Sequence, residues 1–178
     1  PVNRFVAGFI GMPPMNFFDG ALKMENGRMH FEEGTLKNAK AAEGRSDEPL
    51  VLMGDLTLPG TGFRLDVPQH LVGKLGHVVG RHVVLGIRPE HFHLKPVDGV
   101  NGQLKVTMNV VEPLGNDMDV YMSTALRDHV VARVEAVMGL EIGKETTMYV
   151  DLNKVHFFEP GATGMNLSLN NEPTHAVA

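Results

Sequence analysis

Cysteine and tryptophan are absent from this chain. Without thiols there is no disulfide framework and no thiolate metal site, a composition compatible with a reducing compartment. No stretch approaches the roughly 20 consecutive apolar residues that a membrane-spanning helix needs. The amino-terminal residues also lack the charged-then-apolar order of a signal peptide. Basic runs are missing: net charge is −5 and the Lys and Arg residues are dispersed, which argues against a nucleic-acid or anionic-membrane surface. The phosphate-cradling loop Gly-x-x-x-x-Gly-Lys-Ser/Thr does not occur. Gly73-Lys74 has neither the upstream glycine at the right spacing nor a following hydroxyl residue.

What is present suffices for one domain with a real core: 178 residues, 43% of them hydrophobic. Residues 1–10 predict a short helix, with Phe5, Val6, Phe9 and Ile10 at helical spacing and Pro1 tolerated in a first turn. Gly11 and Pro13-Pro14 stop it. Strand texture follows. Residues 15–23 and 28–31 flank Glu25-Asn26-Gly27, whose Asn-Gly pair supplies the positive φ values of a tight hairpin. The polar stretch 32–49 shows no period and reads as an exposed loop. Residues 50–58 and 63–67 read as strands separated by Pro59-Gly60. Asp66 ahead of Pro68 reads as the cap of a short helix that carries Leu71, Val72 and Leu75 and ends at Gly76.

The β signal strengthens from His82, in a β-branched run that ends at Pro89. Leu104, Val106, Met108 and Val110 alternate with Lys105, Thr107 and Asn109, the pattern of a strand with one buried face. Residues 118–126, 129–135, 145–150 and 155–158 add further strands, and Met108, Met118, Met122, Met148 and Phe157-Phe158 read as core. Pro113 has to sit at a strand end or bulge. Short strands punctuated by Gly and Pro favour a barrel or sandwich over a parallel α/β sheet. The polar residues 170–178 read as a frayed tail.

Candidate chemistry is sparse. His91 and His93 would share one face of a strand, with His82 near in sequence, but zinc needs three or four converging ligands and no third is specified. They read as turn or surface histidines, and no metal site is expected. Arg88 and Glu90 bracket Pro89 and read as an ion pair holding a barrel corner, with an anion-binding arginine as the sharper alternative. Glu112, Asp117 and Asp119 read as a solvated acidic turn.

Five blocks, in order, resemble one family. The run Pro1 to Gly11 followed by Pro13-Pro14-Met15-Asn16-Phe17 resembles the linker that leaves the nucleotide-binding domain in the maltose and glycerol-3-phosphate importer ATPases. Leu85-Gly86-Ile87-Arg88-Pro89-Glu90-His91 resembles that family's central motif, and Val111-Glu112-Pro113-Leu114-Gly115-Asn116-Asp117 its Val-Glu-x-Leu-Gly segment. Val131-Ala132-Arg133-Val134 and the ending 154–167, with Phe158 and Thr163-Gly164, resemble its last strands.

The resemblance implies a mainly β, OB-like (TOBE) barrel with a short N-terminal helix and one or two short helices. Residues 1–14 would be the linker helix from an ATPase domain, with Phe5, Phe9, Pro14, Met15 and Asn16 as linker residues and Met12 and Met15 able to pack on that domain. Residues 15–169 would be the OB-like regulatory domain. Gly86, Arg88, Pro89, Glu90, His91, Glu112, Gly115, Arg133, Phe158 and Gly164 are its implied structural or interface positions. A chain that starts at Pro1 and has no Leu-Ser-Gly-Gly-Gln signature reads as part of a longer protein and is expected to be no enzyme by itself. No cofactor is expected here; ATP and Mg belong to the ATPase domain. The implied role is regulation and dimerisation of an ATP-binding subunit that energises uptake of sugars or sugar-phosphate-like solutes. Its partners would be a second copy, its own ATPase domain, indirectly the transmembrane permease subunits, and a regulatory protein, with no nucleic acid. The parent would sit peripherally on the cytoplasmic face of the inner membrane, the isolated domain being soluble. The alternative is a sensor that binds a sugar or oxyanion in the barrel; an independent enzyme has almost no support.

Overall fold

The Asn-Gly turn does what its residues dictate. In a computed structural model, which describes residues 1–41, 52–99, 102–161 and 163–169, Asn26 and Gly27 take φ values of 51° and 76°. They join β1 (Asn16–Glu25) to β2 (Arg28–Glu33) in an antiparallel hairpin running from Glu25↔Arg28 to Gly20↔Glu33. β3 (Thr35–Ala41) pairs with β4 (Leu52–Thr57) as a separate two-stranded ribbon. The loop expected over residues 32–49 is thus corrected at its start. Glu32 and Glu33 close β2 and are buried, and β3 follows, its polar side chains hiding a strand that among the described residues pairs only with β4. Residues 42–49 of that expected loop, and the tail 170–178, lie outside the described residues.

The remaining elements are β5 (Arg64–Asp66), α2 (Gln69–Leu75), β6 (His82–Ile87), β7 (Phe92–His93), β8 (Gly102–Pro113), β9 (Asp117–Ser123), β10 (Val130–Glu135), β11 (Glu145–Val150) and β12 (His156–Phe158). One five-stranded sheet has the order β12-β6-β1-β2-β5 and a second the order β10-β9-β8-β11-β7, with every strand pair antiparallel. β10 comes back beside β7 and the 3-10 turn Pro89–His91, so the second sheet curls almost closed. Among the described residues the fold is mainly β, as expected, with two short α-helices. Pro113 is the last residue of β8, where its missing N–H costs no ladder bond.

Three local expectations shift. The N-terminal helix α1 spans only Arg4–Phe9: the Asn3 side chain accepts from the Val6 N–H and caps it, leaving Pro1 outside the first turn. Asp66 ends β5 and does not cap α2, whose N-cap position is Pro68 with no side-chain bond. β8 alternates only as far as Met108. The register against β9 slips between Met108 and Val110, so Val110 turns 49% exposed where the sequence pattern put it inside.

The main core joins both sheets and α2: Phe18, Phe31, Leu75, Leu85, Val106, Met122, Met148 and Phe157 all belong to it. Met108, Met118, Met122 and Met148 are buried as the strand pattern required. A second, smaller cluster lies under α1, where Ala7, Met15, Val84 and Phe158 pack with Phe17. Between the two sheets runs a seam that Asn16 closes. Its Nδ2 donates to the Ile87 carbonyl at 3.1 Å and to the Val131 carbonyl at 2.8 Å, and its Oδ1 accepts from the Val131 N–H at 2.8 Å. Asn16→Ala leaves the Val131 N–H and C=O without these partners and should cost about 2–3 kcal/mol, read from the urea midpoint. An unchanged midpoint would show that the seam does not depend on the carboxamide.

Candidate linker-anchoring site

Family-motif residues from distant parts of the chain meet at the corner where the N-terminal segment joins the barrel. Arg88 follows β6 and sends Nη1 to the Ile10 carbonyl at 3.1 Å. Arg133, on β10, donates Nη1 to the Met12 carbonyl at 2.6 Å. Two guanidiniums therefore hold two backbone carbonyls of the segment between α1 and β1. Arg133 is itself fixed from behind: Nε and Nη2 reach the two oxygens of Asp119 at 2.8 Å each, a fork-to-fork pair. That contact pulls Asp119 to 5% exposure and corrects its place in a solvated acidic turn. Asp119 shapes a clamp; only Glu112 and Asp117 stay exposed at the turn, Glu112 accepting from Tyr121 Oη at 3.1 Å.

Several residues of the central motif pack or bond at this corner. A Cβ on Gly86 would stand 2.6 Å from Met15 Sδ and 2.8 Å from the Phe158 ring, so glycine lets β1 and β12 close over β6. Phe158 is fully buried with its edge toward Phe17 at 5.8 Å. Pro89 is buried at the start of the 3-10 turn, and the His91 carbonyl accepts from the Asp151 N–H at 3.1 Å. The expected Arg88–Glu90 ion pair does not form. Arg88 is drawn to the Ile10 carbonyl, and the exposed Glu90 carboxylate instead stands 3.7 Å from His91 Nε2. His91 lies in the 3-10 turn and not on a strand with His93, while His82 pairs with Asp19 at 2.9 Å. The three histidines are thus not brought together. Gly115 sits in the β8–β9 turn with φ of 90°. Gly164 lies so close to the Glu159 carbonyl that a Cβ would collide with it, and its own carbonyl accepts from the Arg4 N–H at 2.9 Å.

The segment expected as a linker divides in two. Phe9, Ile10 and Met12 are 58%, 53% and 88% exposed, Pro14 is exposed, and Phe5 stacks on Phe9 with ring centroids 4.7 Å apart. Met15 and Asn16, by contrast, are buried within the barrel corner, so Met15 packs on Gly86 and Phe158 and offers nothing to another domain. Arg4 lies over the Phe17 ring at 4.9 Å, and burial pushes its pKa down.

His156, on β12, was missed by sequence reading. Asn166 Nδ2 spans its Nδ1 at 3.4 Å and the Pro1 carbonyl at 2.8 Å, tying the N-terminal residues to the barrel. Burial, the largest cause, lowers its pKa, and the nearby Arg88 and His91 lower it further. His91 is lowered too, mainly by burial. No sequence signal distinguishes His156 from a surface histidine, since its cover comes from residues far along the chain. The barrel interior is filled with packed side chains. The cleft of about 390 Å³ between residues 61–64 and β8 lies on the outer side of that strand, with Gln103, Lys105 and Thr107 on its wall.

Two domain families match the chain: the MalK OB fold domain over residues 11–92 and the TOBE domain over residues 85–158. Among curated proteins it is 33% identical over 162 residues to the oligosaccharides import ATP-binding protein MsmX of Bacillus subtilis, covering 89% of this chain and 36% of that protein. It is 33% identical over 160 residues to the sulfoquinovosyl glycerol transport ATP-binding protein SmoE of Agrobacterium fabrum, covering 89% and 35%. With the maltose/maltodextrin import ATP-binding protein MalK of Photorhabdus laumondii it shares 32% over 174 residues, covering 97% and 39%. The chain therefore spans little more than a third of the length of these relatives.

The clamp predicts a local effect. Arg88→Ala frees the Ile10 carbonyl, and cleavage between residues 8 and 14 in limited proteolysis should quicken by about 3–10-fold with little change in global melting. Equal cleavage rates would remove Arg88 from the anchor. His156 predicts a pH effect. Its folded pKa lies below the ordinary 6.5, so on acidification the unfolded chain takes up a proton that the native state refuses. The associated stability is full above pH 6.5 and falls away between there and pH 4, by on the order of 1 kcal/mol once solvent screening of the half-covered ring is allowed for. His156→Asn should flatten urea midpoints across that window; a slope identical to wild type would assign the acid sensitivity elsewhere.

Proposed function

Since the chain belongs to the family of MalK OB fold and TOBE domains found in carbohydrate-importer ATP-binding proteins, we propose that it is the regulatory and dimerising part of such a subunit. The parent would be a transport ATPase energising uptake of sugars or sugar-phosphate-like solutes. Its ATP and Mg would be held by a nucleotide-binding domain to which residues 1–14 connect. This chain would carry no catalytic residue and would work by position.

The observation that carries the reading is the double clamp on the entering segment. Arg88 and Arg133 grip the carbonyls of Ile10 and Met12, and Asn16 is bonded across the barrel seam. A domain attached through residues 1–14 would meet a stiff joint there. Two barrels held together would then keep two such domains at high effective concentration while these open and close, with no new contact between the domains themselves. Phe9, Ile10 and Met12 give the exposed apolar surface such a joint uses. The proposed setting is the cytoplasmic side of a membrane, against permease subunits that bear the transport path. Among the described residues no helix is long and apolar enough to cross a bilayer. A ligand held inside the barrel has less support, because packed side chains occupy that space.

Sedimentation equilibrium of this chain over a wide concentration range tests the dimer. A monomer–dimer equilibrium is expected, with a dissociation constant in the micromolar range or tighter, corresponding to about −8 kcal/mol. A strict monomer at the highest concentrations would overturn self-association of the domain.

A further inference from the structure

Residues 163–169 run between β12 and the N-terminal residues, and two ladders alternate along them. On one side the Glu159 N–H donates to the Met165 carbonyl at 3.0 Å and the Leu167 N–H to the Phe157 carbonyl at 2.7 Å. On the other the Arg4 N–H donates to the Gly164 carbonyl at 2.9 Å and the Asn166 N–H to the Val2 carbonyl at 3.0 Å. Asn166 thus pairs antiparallel with Phe158, and Met165 with Asn3. The first sheet is extended in this way by one short segment and then by residues 2–4. The two sides are held unequally. Toward β12 the Ser168 hydroxyl accepts from the Phe157 N–H at 2.7 Å, and Leu167 packs against the main core. Toward residues 2–4 the cover is thin: Val2 is 58% and Met165 55% exposed. There the Asn166 Nδ2 bond to the Pro1 carbonyl joins the two backbone bonds.

Asn3 is also the N-cap of α1, its side chain accepting from the Val6 N–H at 2.9 Å. An N-cap residue needs extended backbone. The pairing with Met165 supplies it, and Asn3 has φ of −148° and ψ of 173°. α1 has little stability of its own. Its 6 residues fall far short of the roughly 12–15 that an isolated helix needs. Gly8 lies within it, no acid stands in its first turn and no base in its last. Arg4 even places a cation at the end where the helix dipole favours an anion. Of the helix residues only Ala7 is buried. The downstream end is held separately, by Arg88 at Ile10 and Arg133 at Met12. The helix therefore depends on its cap, and the cap depends on residues 164–166.

We propose that residues 163–169 are a releasable strap on the linker helix. Strapped, α1 is folded and residues 2–4 lie along the sheet. Released, Asn3 loses its extended pairing, the cap fails, and α1 unwinds into a tether that pivots on the two-arginine clamp. The change in reach is large for so small an element. A helix of 6 residues is about 9 Å long, whereas the same residues extended span about 20 Å. A domain joined through residues 1–14 would gain about 10 Å of travel with the barrel unchanged. Order-to-disorder steps of this kind are a common way to switch a connection. The inference rests on the reading of residues 1–14 as a linker and adds the element that sets its length.

The test is amide hydrogen exchange of the 178-residue chain, read at Val6, Ala7 and Ile10. Their N–H groups bond to Asn3 Oδ1, the Asn3 carbonyl and the Val6 carbonyl. Asn166→Pro removes the N–H that faces Val2 and leaves both backbone bonds toward β12. Exchange at the three amides should then quicken by about 10-fold or more, while β1, β6 and β8 keep wild-type protection. Asn166→Ala should act in the same direction to a lesser degree. Asn3→Ala, which spares the strap, should reproduce the change, and Asn3→Asp should keep wild-type protection. The chain has no cysteine, so spin labels on Val2→Cys and Met24→Cys report the reach. One narrow distance is expected in the parent chain, and a spread of about 10 Å with Asn166→Pro. If that variant leaves the three amides and the distance unchanged, α1 stands without the strap and the inference falls. If both Asn166 variants quicken exchange throughout the barrel, residues 163–169 belong to its core structure, which overturns the strap equally. A chain that stays monomeric sinks the dimer reading and leaves these readouts untouched.

Discussion

The carboxamide of Asn16 does what neither sheet can do alone. β10 is the outermost strand of its sheet order, and an unpaired edge leaves backbone N–H and C=O groups that require partners. Asn16 offers a donor and an acceptor in the spacing of a peptide group, and it meets both polar atoms of Val131. A third bond to Ile87 ties the same side chain to β6. The consequences spread outward. With β10 fixed against the start of β1, Arg133 on β10 is brought over the segment preceding β1, where it reaches the Met12 carbonyl. The route into the barrel is therefore set by the same bonds that close it.

The central motif makes sense against that seam. Gly86 admits Met15 from one side and Phe158 from the other, so the strand that follows the clamp and the strand near the chain's end both lie close on β6. Ile87 points into the core while Arg88 leaves it, a change of face that strand alternation supplies. Pro89 then ends β6 and starts the 3-10 turn that packs beside β10. An arginine at this place is useful because its guanidinium donates to a carbonyl without needing a carboxylate nearby.

Much of this was legible in the sequence, and the lost parts share a cause. The Asn26-Gly27 hairpin, the buried methionines and the strand end at Pro113 follow from local chemistry: positive φ, two-residue periodicity and a missing donor. The Asn16–Val131 bridge joins residues 115 positions apart, and nothing local marks Asn16 as more than a polar residue at a strand start. Asp119 read as solvent-facing because the arginine that buries it lies on the next strand, directly opposite. β3 is hidden in the sequence since its residues are polar and β4, its pairing partner among the described residues, follows beyond an intervening stretch. Local patterns revealed elements; long-range polar pairs, which decide how the elements are joined, left no local trace.

Val110 shows the opposite relation between pattern and structure. The sequence placed a β-branched residue where strict alternation would bury it, and the bulge overrides the alternation. A bulge there could have been followed by a polar residue without loss to the core, since the side chain points to water. The valine instead stays half exposed opposite Tyr121, its partner on β9. On the adjoining ladder, Asp117 and Glu135 repel each other where a neutral pair would serve the fold better. Both choices work against the isolated domain.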